Sequence, residues 1–242
     1  MKRLRLDQAI VLKKLASSRR QAASYIKLGQ VIVGKKVITE AGAIINDNDV
    51  VTLNAREQYV SRAALKLASV ADKLSLNFAN KTVLDVGSST GGFTDYALKH
   101  GAQKIIAVEA GTNQFHSSLL GHPKIELHEK TDIRNFKTKE HLDVVLIDVS
   151  FISVREILPY VTTLSSPDTE IVVMVKPQFE TSDPNFLHKG VIKNDHVRRD
   201  VLKDFETWSR VRFIIINKSD SAVTGTKGNL ERFYLIKPKL TQ

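Results

Sequence analysis

Apolar positions in the first part of the chain follow a helical spacing and then a strand spacing. Residues 4–15 place apolar side chains at 6, 9, 10 and 12, and residues 19–28 repeat the pattern between Ser17-Ser18 and Gly29. We therefore predict two helices, the second capped by the serines and ended by the glycine. The β-branched runs at 31–33 and 50–53 predict short strands. Residues 1–55 are expected to form a small α+β domain.

Helical and strand patterns alternate through the rest of the chain. Residues 54–60 carry little apolar pattern and are predicted to be a linker, and residues 61–242 form the second predicted domain. This alternation favours an α/β fold with a mostly parallel seven-stranded sheet covered on both faces. Helices are predicted at 61–76 (with Ser61 as a candidate cap), 93–100, 111–121, 153–164 (bent or interrupted at Pro159) and 195–210. Strands are predicted at 83–86, 105–110, 124–128, 142–148, 170–176, 211–217 and 231–238, with a lid-like loop at 181–194.

The composition argues against several classes of protein. The 242 residues contain no window of 18 uninterrupted apolar residues, so we expect no membrane span. Cysteine is absent, which excludes disulfides and thiolate metal sites and fits a cytoplasmic protein. The seven histidines show no metal-binding spacing such as HExxH, so we expect no metal site.

Positive charge is concentrated near the start of the chain. Residues 1–36 contain ten Lys or Arg and one acid, Asp7, which accounts for nearly all of the net charge of +10. Such asymmetry indicates an anionic partner, with nucleic acid as the first candidate. The alternative is a solvated helix face, but the excess is more one-sided than interspersed surface charge would be.

Residues 83–93, VLDVGSSTGGF, carry the most informative motif. An apolar strand pattern containing Asp85 runs into a turn of small residues and then into a helix pattern. Glycines allow a ligand to approach the backbone closely, and the helix start offers free N–H groups. The next predicted strand ends at Glu109, where an acid would accept hydrogen bonds from ribose hydroxyls. The pattern predicts a site for an adenosine-like ligand.

Other kinds of turn share parts of this motif. A GxGxxG dinucleotide fingerprint is only partly matched. The spacing from Gly87 to Gly92 is that of a phosphate-binding P-loop, but Phe93 and Thr94 replace its Lys and Ser/Thr, which argues against an ATPase. On this stretch alone, a tight turn of an ordinary α/β domain remains an alternative interpretation.

The segment DVGSSTGGFT resembles the S-adenosylmethionine loop of the FtsJ-like ribose methyltransferases. The resemblance implies a Rossmann-like methyltransferase fold and S-adenosylmethionine as cofactor. Asp132 follows the third predicted strand, where an acid could reach the adenine amino group. The predicted cofactor-binding residues are Asp85, Gly87, Ser88, Ser89, Thr90, Gly91, Gly92, Phe93, Glu109, Asp132 and Asp148.

The N-terminal segment resembles the alpha-L RNA-binding motif. The matching residues are Arg5-Leu6-Asp7, Ser18-Arg19, Ala22, Ile26, Gly29 and Val31 to Val33. The chain departs from the motif in one turn, where Gly34-Lys35 replaces the usual Asn-Gly. The predicted RNA-binding residues are Arg3, Arg5, Ser18, Arg19, Arg20, Lys27, Lys35 and Lys36.

Four further blocks are similar to those of the TlyA family, originally called hemolysins. They are VSRAALKL, LIDVSFIS, VMVKPQFE and GTKGNLERF, and they occur in order over nearly the whole chain. The departures are Ala63-Ala64 in place of glycines, and Glu109 where Asp is common. The resemblance implies a catalytic set of Lys66, Asp148, Lys176 and Glu231, and 2′-O-methylation of ribosomal RNA, at cytidines in the ribosomal subunits. We expect a monomer.

The residue types in this set suit a proton-transfer role. Lys176 is expected to accept the proton of the ribose hydroxyl, because burial and the neighbouring cation of Lys66 favour an uncharged amine. Asp148 would orient Lys176, although the negative charge of Asp148 favours the charged form of the amine. Glu231 and Lys66 would hold the hydroxyl and balance charge.

Two other functions compete with this prediction. One is a non-catalytic RNA- or ribosome-binding factor, against which the complete set of four charged residues argues. The other is a membrane-active cytolysin. Basic charge could attract anionic lipid, but the N-terminal helices carry no large aromatic face.

Overall fold

The computed structural model describes residues 3–54, 59–225 and 227–239. Most of the predicted linker (residues 55–58) and Thr226 of the block GTKGNLERF lie outside the described residues. Among the residues described, no helix is long and apolar enough to cross a membrane.

The N-terminal segment folds as the predicted helix pair and short strands. Its elements are β1 (Arg3–Arg5), α1 (Leu6–Leu12), α2 (Arg19–Lys27), β2 (Val31–Val33), β3 (Lys36–Val37), β4 (Ile44–Asn46) and β5 (Val51–Leu53). Ser18 caps α2 by accepting a hydrogen bond from the Gln21 N–H, and Gly29 follows its end with φ +69°. The first helix begins later than predicted, because residues 3–5 pair with β4 as an antiparallel strand.

The remainder of the chain forms one seven-stranded sheet with helices on both faces. Its order is β11-β12-β10-β9-β6-β7-β8. The helices are α3 (Arg62–Ala71), α4 (Gly92–Lys99), α5 (Val154–Leu164), α6 (Pro177–Glu180) and α7 (Asp195–Ser209). The strands are β6 (Thr82–Val86), β7 (Lys104–Val108), β8 (Ile125–His128), β9 (Val144–Ile147), β10 (Glu170–Val175), β11 (Phe213–Asp220) and β12 (Arg232–Pro238). The mostly parallel, seven-stranded prediction is confirmed.

The direction of β12 brings distant residues to one edge of the sheet. Strands β6 to β10 are parallel, so their carboxyl ends share an edge. Strand β12 pairs antiparallel with β10, with Arg232 opposite Val175. Glu231, which precedes β12, therefore lies at the same edge as Lys176, which follows β10.

The buried strands read as apolar runs because both faces of the sheet are covered. Helices α3 and α4 cover one face, where Leu67 and Phe93 join the core, and α5 and α7 cover the other, where Ile157 and Phe205 do so. The core of the N-terminal domain is continuous with the second domain, since it contains Leu65 of α3.

One local prediction was wrong, and two others were confirmed only in part. Residues 111–121 form turns rather than a helix, since Phe115 and Leu119 pack against Ala107 and Gly91 from irregular backbone. Helix α5 runs without interruption through Pro159, because its buried apolar face offsets the lost hydrogen bond. Ser61 occupies the N-cap position of α3, yet its hydroxyl makes no capping bond to the described residues.

Candidate active site

The small-residue turn after β6 is held against the strand beside it. Gly87 has φ +79°, and a Cβ added to it would lie 2.6 Å from the backbone oxygen of Asp148. Gly91 has φ +81°, and its Cβ would lie 2.6 Å from the Leu119 side chain. Both positions therefore require glycine for conformation and for space. The turn ends at the N-terminus of α4, where the first backbone N–H groups of the helix have no partner within the helix.

A cavity of about 470 Å³ opens beside this turn. Its walls combine polar groups that follow the carboxyl ends of four strands, β6 to β9, with apolar side chains. Five predicted cofactor residues line it: Gly87, Ser89, Glu109, Asp132 and Asp148. The apolar wall is formed by Val86, Val108, Ile133, Val149, Ile152 and Ile157. An apolar slot with acids at its rim is suited to an adenosine group.

Two acids at the rim are oriented by short hydrogen bonds. Glu109 accepts from the Ser89 N–H at 2.9 Å and from the Gly111 N–H at 2.7 Å. Asp132 accepts from the Arg134 guanidinium at 2.6 Å. Hydrogen bonds from Arg134 are the main reason that the pKa of Asp132 lies below its usual value. Asp132 therefore stays ionised near neutral pH.

Other predicted cofactor residues lie behind the turn rather than on the cavity wall. Asp85 is fully buried and accepts hydrogen bonds from the Thr94 N–H at 2.9 Å and from the Thr94 hydroxyl at 2.6 Å. Burial raises the pKa of Asp85 to about 7. Ser88, Gly91, Gly92 and Phe93 are also buried and are not among the lining residues. Thr90 lines a neighbouring cavity together with Lys66.

The four predicted catalytic side chains form two ion pairs. Lys66 Nζ lies 2.7 Å from Glu231 Oε2, and Lys176 Nζ lies 2.5 Å from Asp148 Oδ1. Lys176 Nζ also donates to Ser150 Oγ at 2.7 Å. Each side chain is at most 17% exposed. The two lysine charges are thus balanced by separate acids, and Lys66 does not stand beside Lys176 as an uncompensated cation.

The two pairs act on one another electrostatically. Burial raises the pKa of Glu231, and the charge of Lys66 opposes this effect most strongly. The charges of Asp148 and Lys176 also act on Glu231, the first raising and the second lowering its pKa. All four groups therefore share one electrostatic environment.

A second cavity, of about 380 Å³, adjoins the first. Lys66, Lys176 and Glu231 line it, and Asp148 lines the first cavity. Ser150 and Phe151 line both. A group in the adenosine cavity and a group in the second cavity would therefore approach each other beside the four charged side chains.

Sequence analysis missed several residues of this region. Ser150 hydrogen-bonds Lys176, and Phe151 is 91% exposed with a left-handed backbone at φ +66°. Left-handed phenylalanines are uncommon and concentrate at functional sites. The available signal was their position directly after Asp148, at the end of a buried strand. Asn229 and Lys227 also line the second cavity.

The predicted RNA-binding residues lie at several places on the N-terminal domain. Arg5 and Arg19 both contact the buried carboxylate of Asp7, at 3.1 Å and 3.0 Å. Ser18 is the helix cap. Arg20 and Lys27 line a cavity next to Arg62 and Lys227. The side chains of Arg3, Lys35 and Lys36 are exposed.

Within the described part of the chain, no group of three or more His, Cys, Asp or Glu side chains could hold a metal ion.

Comparison with known proteins defines the class first. The family model described as FtsJ-like methyltransferase matches residues 59–238, and that of the S4 domain matches residues 4–51. The chain is an FtsJ-like methyltransferase with an N-terminal S4 domain of the alpha-L RNA-binding type. We call residues 4–51 the S4 domain below.

Individual relatives narrow the class. A "23S rRNA (cytidine-2'-O)-methyltransferase TlyA" of Campylobacter jejuni is 41% identical over 74% of this chain and 70% of its own length. A "16S/23S rRNA (cytidine-2'-O)-methyltransferase TlyA" of Mycobacterium tuberculosis is 32% identical over 96% of this chain and 89% of its own. The solved "Putative hemolysin from Streptococcus thermophilus" is 28% identical, with a TM-score of 0.73 over 100% of this chain and 90% of that one. The chain belongs to the TlyA family.

Family membership makes S-adenosylmethionine the cofactor, and the site fits it. Gly87 has no side chain, so its backbone itself lines the cavity, where a ligand can approach it closely. Glu109 and Asp132 offer acceptors at the cavity rim for ribose hydroxyls and an amino group.

Proposed function

We propose that this protein methylates ribose 2′-hydroxyls of ribosomal RNA in the cytoplasm, at cytidines. The names of the Campylobacter and Mycobacterium relatives support the substrate. The single observation that supports the proposal is that the two cavities share Ser150 and Phe151, with Asp148 lining the first cavity and its ion-pair partner Lys176 lining the second beside Lys66 and Glu231.

Each charged residue has a role in this proposal. S-adenosylmethionine supplies an electrophilic methyl group. Lys176 Nζ acts as an uncharged amine, having released its own proton to solvent, and accepts the proton of the ribose hydroxyl as the O–CH3 bond forms and the S–CH3 bond breaks. Asp148 and Ser150 hold Nζ at its position by contacts of 2.5 Å and 2.7 Å. The Lys66–Glu231 pair lines the same cavity as Lys176 and hydrogen-bonds the ribose there.

The main catalytic contribution is positioning. A ribose hydroxyl is a weak nucleophile near neutral pH, so it must be held close to the methyl group and in line with it. Correct alignment alone contributes up to about 7–11 kcal/mol. The charged residues of the site lie at the ends of strands or near the start of a helix. Strands and helices are rigid, so they hold these side chains in position.

The S4 domain supplies RNA affinity in this proposal. Its cations would neutralise several phosphates, so binding should weaken steeply as salt is raised. Deletion of residues 1–55 is expected to abolish both the affinity and the salt dependence. Unchanged RNA binding after the deletion would refute this part of the proposal.

The decisive experiment is transfer of a tritium-labelled methyl group onto rRNA purified without this modification. We expect label on ribose at cytidines, mapped by nuclease digestion. Cofactor and RNA binding without any label would favour the non-catalytic factor. Leakage of anionic liposomes without label would favour the cytolysin.

A further inference from the structure

The core of the S4 domain is completed by two side chains from the methyltransferase domain. Leu65 of α3 and Val223 of the β11–β12 loop are 1% and 2% exposed. Both pack with apolar residues of α1 and α2, including Ile10 and Ile26. Leu65 directly precedes Lys66, and the loop that contains Val223 leads to Glu231. The S4 domain therefore contacts the two segments that carry the Lys66–Glu231 pair.

Arg62 joins the same three segments through hydrogen bonds. It lies one turn before Lys66 in α3. Its Nη2 donates to the Thr224 backbone oxygen at 2.6 Å, and its Nε donates to Ser24 Oγ of α2 at 3.3 Å. Desolvation is the main cause that lowers the pKa of Arg62. A half-buried guanidinium with these partners fixes the relative position of α2, α3 and the loop.

The loop in turn lies against the Glu231 carboxylate. Gly225 directly follows Thr224, and a Cβ on Gly225 would lie 2.7 Å from Glu231 Oε1. The Gly225 N–H donates to the backbone oxygen of Asn229 at 2.8 Å, and the Ser221 N–H donates to the backbone oxygen of Glu231 at 3.0 Å. A shift of Thr224 would therefore move backbone that contacts Glu231.

We infer that the S4 domain is part of the catalytic architecture, and that Arg62 and the packing of Leu65 and Val223 in the S4 core position the Lys66–Glu231 pair. Arg62 is a positioning residue: it acts through the loop. The expected change in kcat rests on the proposed function. The expected change in the hydrogen exchange of the loop does not depend on turnover.

The test compares Arg62→Met and Val223→Ala with matched controls in the full-length protein. Arg199→Met removes an exposed arginine of α7 whose Nε bonds only within its own helix among the described residues. Val201→Ala removes methyl groups from a buried valine of α7, on the other face of the sheet. Turnover is measured at saturating RNA and S-adenosylmethionine, well below the melting temperature of each variant.

We expect Arg62→Met and Val223→Ala to lower kcat by about tenfold or more, because displacements near 1 Å have effects of that order or larger. The Kd for RNA and for S-adenosylmethionine should stay within about twofold, and Arg62→Lys should recover part of kcat. Both controls should keep the wild-type kcat. Unchanged kcat in Arg62→Met, or an equal loss in Val201→Ala, would overturn the inference.

Hydrogen exchange separates this inference from the proposed function. Amides of residues 221–225 should exchange faster in Arg62→Met and Val223→Ala than in the controls. If the wild type shows no rRNA methylation but exchange responds as expected, the proposed function fails and the positioning inference stands. If the wild type is active but neither exchange nor kcat responds, the inference fails and the function stands.

Discussion

Lys66 Nζ and Glu231 Oε2 lie 2.7 Å apart in a pair whose side chains are 11% and 3% exposed. Lys66 lies in α3, the first helix of the methyltransferase domain, and Glu231 directly precedes β12, its last strand. Removing one partner leaves the other charge buried and uncompensated, which costs about 3–5 kcal/mol.

We expect Lys66→Met and Glu231→Gln each to destabilise the fold, and the double variant to be more stable than the sum of the two effects predicts. Chemical denaturation of the four proteins measures the coupling. The partly exposed pair Lys81–Glu170, at 3.0 Å with side chains 25% and 29% exposed, is the matched control, and its coupling should be at most about 1 kcal/mol. Equal coupling in the two cycles would contradict the account. Methyl transfer should be lost in all three variants of the buried pair.

Much of this arrangement follows from the pattern of apolar positions. Parallel strands end at one edge of a sheet, so Asp148 and Lys176 could be placed together from sequence. Glu231 could be grouped with them only through the family resemblance, because the pattern of β12 does not show that the strand runs in reverse. The pairing of Lys66 with Glu231 depends on packing between α3 and the sheet, which no local pattern encodes.

The adenosine cavity was predictable in outline but not residue by residue. The strand-turn-helix pattern indicated the turn, and Gly87, Ser89, Glu109, Asp132 and Asp148 line the cavity. Asp85 was predicted to contact the cofactor, yet its side chain points under the turn to Thr94. Residues Val83 to Val86 of β6 are all buried, so alternation gave no sign of the side to which the Asp85 carboxylate points.

Gly87→Ala should weaken cofactor binding by at least about tenfold, because the added Cβ would lie 2.6 Å from the Asp148 backbone oxygen. Gly121→Ala is the control, since Gly121 has a similar φ of +72° and an open surrounding. Both substitutions carry the conformational cost of a left-handed residue, about 1 kcal/mol. Calorimetric titration with S-adenosylmethionine measures the difference. Equal affinities in the two variants would show that the close approach of the Asp148 backbone to Gly87 does not matter for cofactor binding.

Asp85 should make stability depend on pH. Its pKa of about 7 in the folded state exceeds the usual value of 3.8, because the side chain is buried. As pH rises from about 4 to 7, the unfolded chain loses this proton first, so folding becomes less favourable and then levels off. Asp85→Asn should therefore gain stability relative to wild type over that range, by at most about 4 kcal/mol. Denaturation at several pH values measures the trend, with the exposed Asp168→Asn as baseline. A constant difference between Asp85→Asn and wild type would contradict the burial argument.

Asp7→Asn should weaken RNA binding even though it increases the net positive charge. Burial alone would raise the pKa of Asp7, but hydrogen bonds from Arg5 and Arg19 lower it, so the carboxylate is ionised and holds both guanidiniums. Releasing them loses their fixed orientation toward RNA. Filter binding at several salt concentrations measures the effect, and the exposed Asp47→Asn is the control. Tighter binding by Asp7→Asn would show that charge alone determines affinity.

The role of Lys176 is the central claim, and single-turnover methyl transfer by Lys176→Met tests it most directly. The assay uses excess enzyme, unmodified rRNA and tritium-labelled cofactor, with calorimetry to verify that S-adenosylmethionine still binds and the exposed Lys203→Met as control. We predict a rate at least about a hundredfold below wild type with cofactor affinity retained. A Lys176→Met rate close to that of wild type would contradict the account.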